Sequence, residues 1–334
     1  MTGKNNFMKN GLFVLIAFIG LISFSCNSGV KKAENVLDST IAQGDLRVFY
    51  AGSMIIPMKS IISDFKKEYP HVNVHAEASG SRTAARKVID KNRRCDVLIS
   101  SDYQVIKNLM IPNYASWYIE FASNEMVIAY SDSSMLSDDI NQDNWYKVLL
   151  NDSVHFGRAN PDSDPCGHRT VISIKLAEKY YGEYGIKDNL LFKNKRFIKA
   201  SDHELVDLLN KQEVDYVFIY KSVAKQEQLK FVTLPDQINL KLEKYASYYS
   251  LESTNVSGKN PGKYIKRKGD PIRYALTIVK NAPNPIAAEA FLSFFIDETK
   301  GLNILKENSM NVLDSLIVFP TDSTTIEMRA QFGL

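Results

Sequence analysis

Two rhythms of apolar and polar positions take turns along this chain from Leu46 onward. Apolar runs of strand length stand at 46–51, 72–77 and 96–100, and each is followed by a helical pattern, at Ile55–Glu68, 83–90 and 103–110. In the first helical stretch Met58, Ile61, Ile62 and Phe65 recur at the spacing that places them on one helix face. This strand–helix order predicts a parallel α/β sheet with ligands at the carboxyl ends of its strands. A longer strand-like run follows at 121–130, and a second at 274–279 after the Gly/Pro/Lys-rich stretch 257–271. Between them the pattern predicts helices at 170–181 and 203–211 and the strand Tyr216–Tyr220. After them come a helix at Pro285–Ile296 and a tail. The economical reading is an inserted lobe, with 46–125 and 272–334 forming lobe I and 126–271 forming lobe II. The two crossing strands then act as the hinge of a cleft.

The first 26 residues have a different character. Lys4 and Lys9 precede an apolar run from Gly11 to Phe24, which Ser25-Cys26 closes. The run is shorter than the roughly 20 residues needed to span a bilayer, so it reads as the core of a signal peptide. Its end resembles the lipobox of bacterial lipoproteins, with Cys26 as the lipidated residue. Ser23 and Phe24 depart from the usual Leu and small residue, and Ile22 stands one place early. An ordinary secretory peptide, with Cys26 incidental, is the alternative. The polar stretch 27–45 predicts a tether, so the chain is expected to be exported and lipid-anchored to a membrane, facing the periplasm.

The formal net charge of +3 gives no argument for nucleic acid, and the run Lys266-Arg267-Lys268 is expected to be a solvated loop. With Cys26 lipidated, Cys95 and Cys166 remain. They fall in different predicted lobes, where a disulfide would hinder relative motion, and Cys95 is expected in the core. No cysteine or histidine pair has metal-ligand spacing.

Three strand-to-helix turns are small and hydroxylated: Ala51-Gly52-Ser53, Ala78-Ser79-Gly80-Ser81 and Asn160-Pro161-Asp162-Ser163-Asp164-Pro165-Cys166-Gly167. Helix starts present unpaired N–H groups and a positive dipole end, which suit a small oxyanion. The third turn also carries a carboxylate, which an anion site should avoid. That contradiction narrows the choice of solute.

Residues 46 to about 315 resemble the tungstate/molybdate-binding proteins of ABC importers, in their archaeal-type branch. The similarity runs through these turns and through Asp96-Val97-Leu98-Ile99-Ser100-Ser101-Asp102-Tyr103, Asn113-Tyr114-Ala115-Ser116-Trp117-Tyr118 and Asp215-Tyr216-Val217-Phe218-Ile219-Tyr220-Lys221-Ser222. The resemblance implies a two-lobed periplasmic-binding-protein fold of type II, with mixed sheets flanked by helices. It implies oxyanion contacts from Gly52, Ser53, Ser81, Pro165, Cys166 and Tyr220, and carboxylate bonds from Asp164 and Asp202 to the metal of the solute. Asp202 stands 18 positions before Tyr220, where the family carries Glu. The loss of one methylene predicts a helix start displaced inward, or coordination lowered from six. The chain also lacks a stretch that the archaeal relatives carry between the Asp-Pro-Cys helix and this position. Further implications are a permease partner, a monomer and no cofactor.

Carboxylates beside a dianion would be repulsive as mere neighbours. They make sense as ligands of Mo(VI) or W(VI), whose shell can expand from four oxygens to six. Sulfate and phosphate centres cannot readily do this. Plainer readings stand beside these roles. Ser201 with Glu204 matches a capping box that would place Asp202 at a helix start, Asp164 before Pro165 suits a turn, Ser53 and Ser81 suit N-caps, and Tyr220 suits a core. Asp162 reads as a loop residue, and His168 and Arg169 are left outside the ligand set. The other function classes are a binding protein for sulfate, phosphate or an iron chelate, a structural surface lipoprotein, and a hydrolase using Ser53, His168 and Asp164. No Gly-x-Ser-x-Gly elbow supports the hydrolase.

Overall fold

Glycine, proline and cap residues divide the chain where its hydrophobic rhythm changes. The computed structural model describes residues 42–260 and 262–320. The signal peptide, Cys26, most of the tether and the tail after 320 lie outside the described residues. The first half runs β1 (Gly44–Ala51), α1 (Ile55–Glu68), β2 (Val72–Ser79), α2 (Ser81–Ile89), β3 (Val97–Ser100), α3 (Tyr103–Val105), β4 (Tyr118–Ser123) and β5 (Met126–Tyr130). It continues through α4 (Trp145–Leu150), β6 (Phe156–Ala159), α5 (Pro165–Tyr181), α6 (Ile186–Phe192), β7 (Ile198–Lys199), α7 (Asp202–Asn210), β8 (Tyr216–Tyr220), α8 (Lys221–Gln226) and β9 (Lys230–Thr233). Last come α9 (Ala246–Tyr249), the hairpin β10 (Ser253–Ser257) and β11 (Tyr264–Lys268), then β12 (Arg273–Ile278), α10 (Pro285–Ile296), α11 (Gly301–Glu307) and β13 (Asn311–Phe319).

Two mixed sheets result. The first has the order β13-β4-β12-β3-β1-β2, with β1 parallel to β2 and β3 and the remaining pairs antiparallel. The second has the order β7-β6-β8-β5-β9, parallel from β7 to β8 and antiparallel beyond. Helices pack on both. In the first, Phe65 of α1 meets Phe291 and Phe294 of α10 edge-on. In the second, Trp145 of α4 meets Phe218 of β8 in the same way.

The run 121–130 is broken at Asn124-Glu125, and its halves belong to different sheets. Apolar residues continue across the break, which hides it from a hydropathy pattern. Glu125, buried at this crossing, pairs with Lys221 at 2.9 Å and Lys241 at 3.3 Å. The chain returns through 269–272, and the 274–279 run lies in the first sheet as β12. Two corrections concern local structure. Strand β1 begins at Gly44, inside the expected tether, because Gly44 already pairs with Val72. The Lys266-Arg267-Lys268 run is a strand and not a solvated loop. Its alternation leaves Lys266 and Lys268 exposed and buries Arg267 against Asp102. Cys95 and Cys166 are both buried and free. Among the described residues no helix is long and apolar enough to cross a membrane.

Candidate functional site

Helix α5 starts five residues earlier than its apolar pattern indicates, at Pro165, with Asp164 as N-cap. Proline suits the first helical position and aspartate the cap, so these two residues set the boundary. The Asp164 carboxylate accepts a hydrogen bond from the Cys166 amide at 2.8 Å. The Gly167 amide goes to the Asp164 carbonyl at 3.0 Å. The helix start therefore spends its first donors on its own cap. The Cys166 amide thereby orients Asp164, and its thiol points to the Phe218 carbonyl.

Asp202 is the first residue of α7 and is buried, as is Asp164. The capping box expected upstream is not formed: the Ser201 hydroxyl donates to the Glu204 carboxylate at 3.2 Å. One carboxylate oxygen of Asp202, Oδ1, is buried without a hydrogen-bond partner. It lies 2.6 Å from where a Cβ on Gly52 would stand. Any other residue at position 52 would drive this oxygen away, which is why the turn after β1 carries glycine. Gly80 plays the same part at the second turn, where a Cβ would lie 2.4 Å from the Ser163 carbonyl oxygen. The two glycines let the turns of the first sheet close onto those of the second, and the Thr83 amide seals the contact by donating to Ser163 at 3.2 Å.

Burial raises the pKa of Asp164 to about 6, against the Cys166 amide and Arg169, which lower it. Asp202 is raised well above its ordinary value, first by burial and then by the charge of Asp164. The two carboxyls titrate as a coupled pair, both raised by burial. Among the described residues no group of three or more His, Cys, Asp or Glu side chains is arranged to hold a metal cation. This is a two-carboxylate site.

Hydroxyls complete the cluster. The Tyr274 hydroxyl of β12 donates to Ser53 Oγ at 2.9 Å. The Asn124 side-chain amide donates in turn to Tyr274 at 3.2 Å and to Ser222 at 2.8 Å. Ser81 Oγ accepts from the Ser101 amide at 3.0 Å and lies 3.1 Å from Ser101 Oγ. Tyr220, fully buried at the end of β8, accepts from Arg169 at 2.7 Å. Tyr274 spends its hydrogen on Ser53, whereas Ser53 and Tyr220 each accept from a protein donor and keep their own hydrogen to donate. The expected residues Gly52, Ser53, Asp164, Pro165, Cys166, Asp202 and Tyr220 thus converge. Ser81 joins them through Ser101, whose carbonyl accepts from Arg169 at 2.7 Å.

Sequence reasoning missed Tyr274, Asn124, Ser101 and the buried charges next to the site. Asp102 accepts from Arg267 at 3.1 and 3.2 Å and lies 3.7 Å from Arg169 and from His168. Burial opposes the charge of Asp102, yet the arginines hold its carboxyl far below the usual range. His168 is held neutral by burial and by Arg267. Asp162 stays outside the cluster, taking the Ser257 amide at 2.7 Å and hydroxyl at 2.8 Å. The hydrolase arrangement is not formed, because Ser53 is bonded to Tyr274 and neither His168 ring nitrogen has a hydrogen-bond partner.

A buried cluster of oriented hydroxyls and a carboxylate pair thus lies between two mixed sheets of the periplasmic-binding-protein fold. The chain belongs to the bacterial extracellular solute-binding protein family, whose model matches residues 46–309. A solute-binding protein of Petrotoga mobilis is 46% identical over 86% of this chain and 88% of its own length. The molybdate/tungstate-binding protein WtpA of Thermococcus kodakarensis is 36% identical over 93% of this chain and 94% of its own. The fold superposes on the Azotobacter vinelandii periplasmic molybdate-binding protein with a TM-score of 0.59 at 19% identity, covering 81% of this chain and all of that one. The sulfate-binding protein SubI of Mycobacterium tuberculosis gives 0.58 at 14% identity, covering 87% and 96%.

The raised carboxyls fix a sign for stability against pH. The native state of the ligand-free protein binds more protons than the unfolded chain above the ordinary carboxyl value of 3.8. Their contribution is therefore fully present at lower pH. It is lost as pH rises through about 6 for Asp164 and through the raised value of Asp202. Asp202→Asn should stabilise the ligand-free protein at pH 7 to 8, with the gain shrinking toward zero near pH 4. Denaturant unfolding across that range measures the difference, and a gain independent of pH would contradict the buried pair.

Proposed function

We propose that this protein is the substrate-binding component of an ABC importer, capturing molybdate or tungstate in the cleft and delivering it to a permease. The observation that carries this reading is the Asp164–Asp202 pair, two buried carboxylates with an unpartnered oxygen beside hydroxyl donors. Anion-facing donors and metal-facing carboxylates are both satisfied by a tetrahedral oxyanion of a large hexavalent metal. Ser53, Ser81 and Tyr220 would donate to its oxo groups by charge-assisted hydrogen bonds. Asp164 and Asp202 would release any bound proton to solvent and bond to the metal as carboxylates, with the Cys166 amide holding Asp164 in orientation. The names of the Thermococcus and Pyrococcus relatives support the same solutes. The protein in this reading works as a binding module without a cofactor and without catalysing a reaction, as a monomer.

Calorimetry on the chain from Asn27 onward tests the reading. Molybdate and tungstate should bind at least about a hundredfold more tightly than sulfate or phosphate, a gap of about 2.7 kcal/mol. Sulfate binding as tight as molybdate would sink it. Asp202→Ala should weaken molybdate binding. Tighter binding by this variant would mean that the carboxylate merely repels the dianion, and X-ray absorption showing a four-oxo metal in the complex would exclude carboxylate ligation.

We also infer export and anchoring through Cys26, supported by the charged start, the apolar run to Phe24 and the terminal Ser25-Cys26. Cys26→Ser should release the protein from membranes or block its maturation. Unchanged processing with retention at the membrane would remove the anchor from this reading.

A further inference from the structure

Arg169 is not among the residues that sequence assigns to the cleft, yet it is fully buried beside it. Its Nη1 donates to two oxygens, each 2.7 Å away: the Tyr220 hydroxyl and the Ser101 carbonyl. Tyr220 ends β8 in the second sheet, and Ser101 follows β3 in the first. Nη2 stands 3.7 Å from the Asp102 carboxylate, again on the side of the first sheet. The guanidinium also lies 5.6 Å from the centre of the Tyr220 ring.

A phenol has one hydrogen and accepts on the same oxygen. With Arg169 donating to that oxygen, the hydrogen must point elsewhere, and among the described hydrogen bonds Tyr220 donates to no protein acceptor. We propose that Arg169 is a positioning residue for the solute: its guanidinium fixes the Tyr220 hydroxyl as a donor into the cleft, and the Ser101 carbonyl and Asp102 carboxylate hold that guanidinium in place once the two sheets have closed. One side chain then links closure to recognition. Both hydrogen bonds come from Nη1, while Nη2 faces Asp102 as an ion pair at 3.7 Å without a hydrogen bond. A lysine would bring the same charge as a single point, without the second nitrogen that faces Asp102. This inference rests on the oxyanion reading of Tyr220.

The test is a double-mutant cycle on the chain from Asn27 onward, with molybdate as the probe and calorimetry as the readout. Arg169→Lys and Tyr220→Phe should each weaken binding by about ten- to hundredfold, the range for losing a hydrogen bond to a charged group. The double variant should bind within about twofold of the weaker single variant. Losses that multiply, or wild-type affinity in Arg169→Lys, would overturn the inference while leaving the oxyanion site standing. Should Arg169→Lys fail to fold, Asp102→Asn replaces it in the cycle. It should weaken binding in the wild-type background and not in Tyr220→Phe, and equal losses in both backgrounds would overturn the proposal. A tyrosine difference spectrum on adding molybdate gives a readout that a purely structural role would not move. It should be present in the wild type and absent from Tyr220→Phe and Arg169→Lys. A spectrum retained in Arg169→Lys would overturn the positioning role. A wild-type protein that binds no molybdate would overturn this inference and the oxyanion reading together.

Discussion

The constraint on which this molecule turns is the burial of two carboxylates, Asp164 and Asp202, at the starts of two helices. Isolated charges of one sign cannot both persist in such a place. The pair must share a proton or meet something that bonds to its oxygens. Neighbouring features follow from that need. Gly52 gives up a side chain so that Asp202 can reach the turn. Pro165 and the Cys166 amide lock Asp164 as a cap, so one of its oxygens is committed and its orientation is set. The hydroxyls of Ser53 and Tyr220 accept from Tyr274 and Arg169, so their own hydrogens are left to donate.

Beside this pair lies a network of the opposite character. Arg82, Arg169 and Arg267 are all buried around Asp102, and their charge makes the surroundings favourable to an anion. The same network ties the first sheet to segments from the second half of the chain. Arg82 donates to the Ser257 carbonyl, Arg86 to the Gly258 carbonyl, and Gln104 to Asp270 at 2.8 Å. Hydrogen bonds and ion pairs thus hold the turns of the first sheet against the β10–β11 hairpin and the segment that follows it.

Elements whose rhythm is self-contained were legible in the sequence. Ile55–Glu68, Tyr216–Tyr220 and Pro285–Ile296 have the bounds that periodicity predicts, because an apolar stripe and its flanking breakers suffice to define them. The start of α5 was missed because its first turns carry His168 and Arg169, polar residues that break the apolar stripe although both are buried. Arg267 was misread for a similar reason. A basic triplet looks solvated until a partner such as Asp102, 165 residues away, is folded against it. The Tyr274–Ser53 bond spans 221 residues and has no local signature. The turns and the carboxylate of the candidate site were visible from residue type and spacing. The groups that orient them come from other strands, and only the sheet order brings them together.

Asp202 illustrates how backbone placement and side-chain length are linked. An aspartate has one carbon–carbon bond less reach than a glutamate, about 1.5 Å. In this chain α7 begins at Asp202 itself, and its carboxylate already presses against the glycine turn at Gly52. From the same backbone, one more methylene would push the carboxylate into that turn. The shorter acid thus goes with a helix start close to the turn, and the longer one would need the helix to stand back.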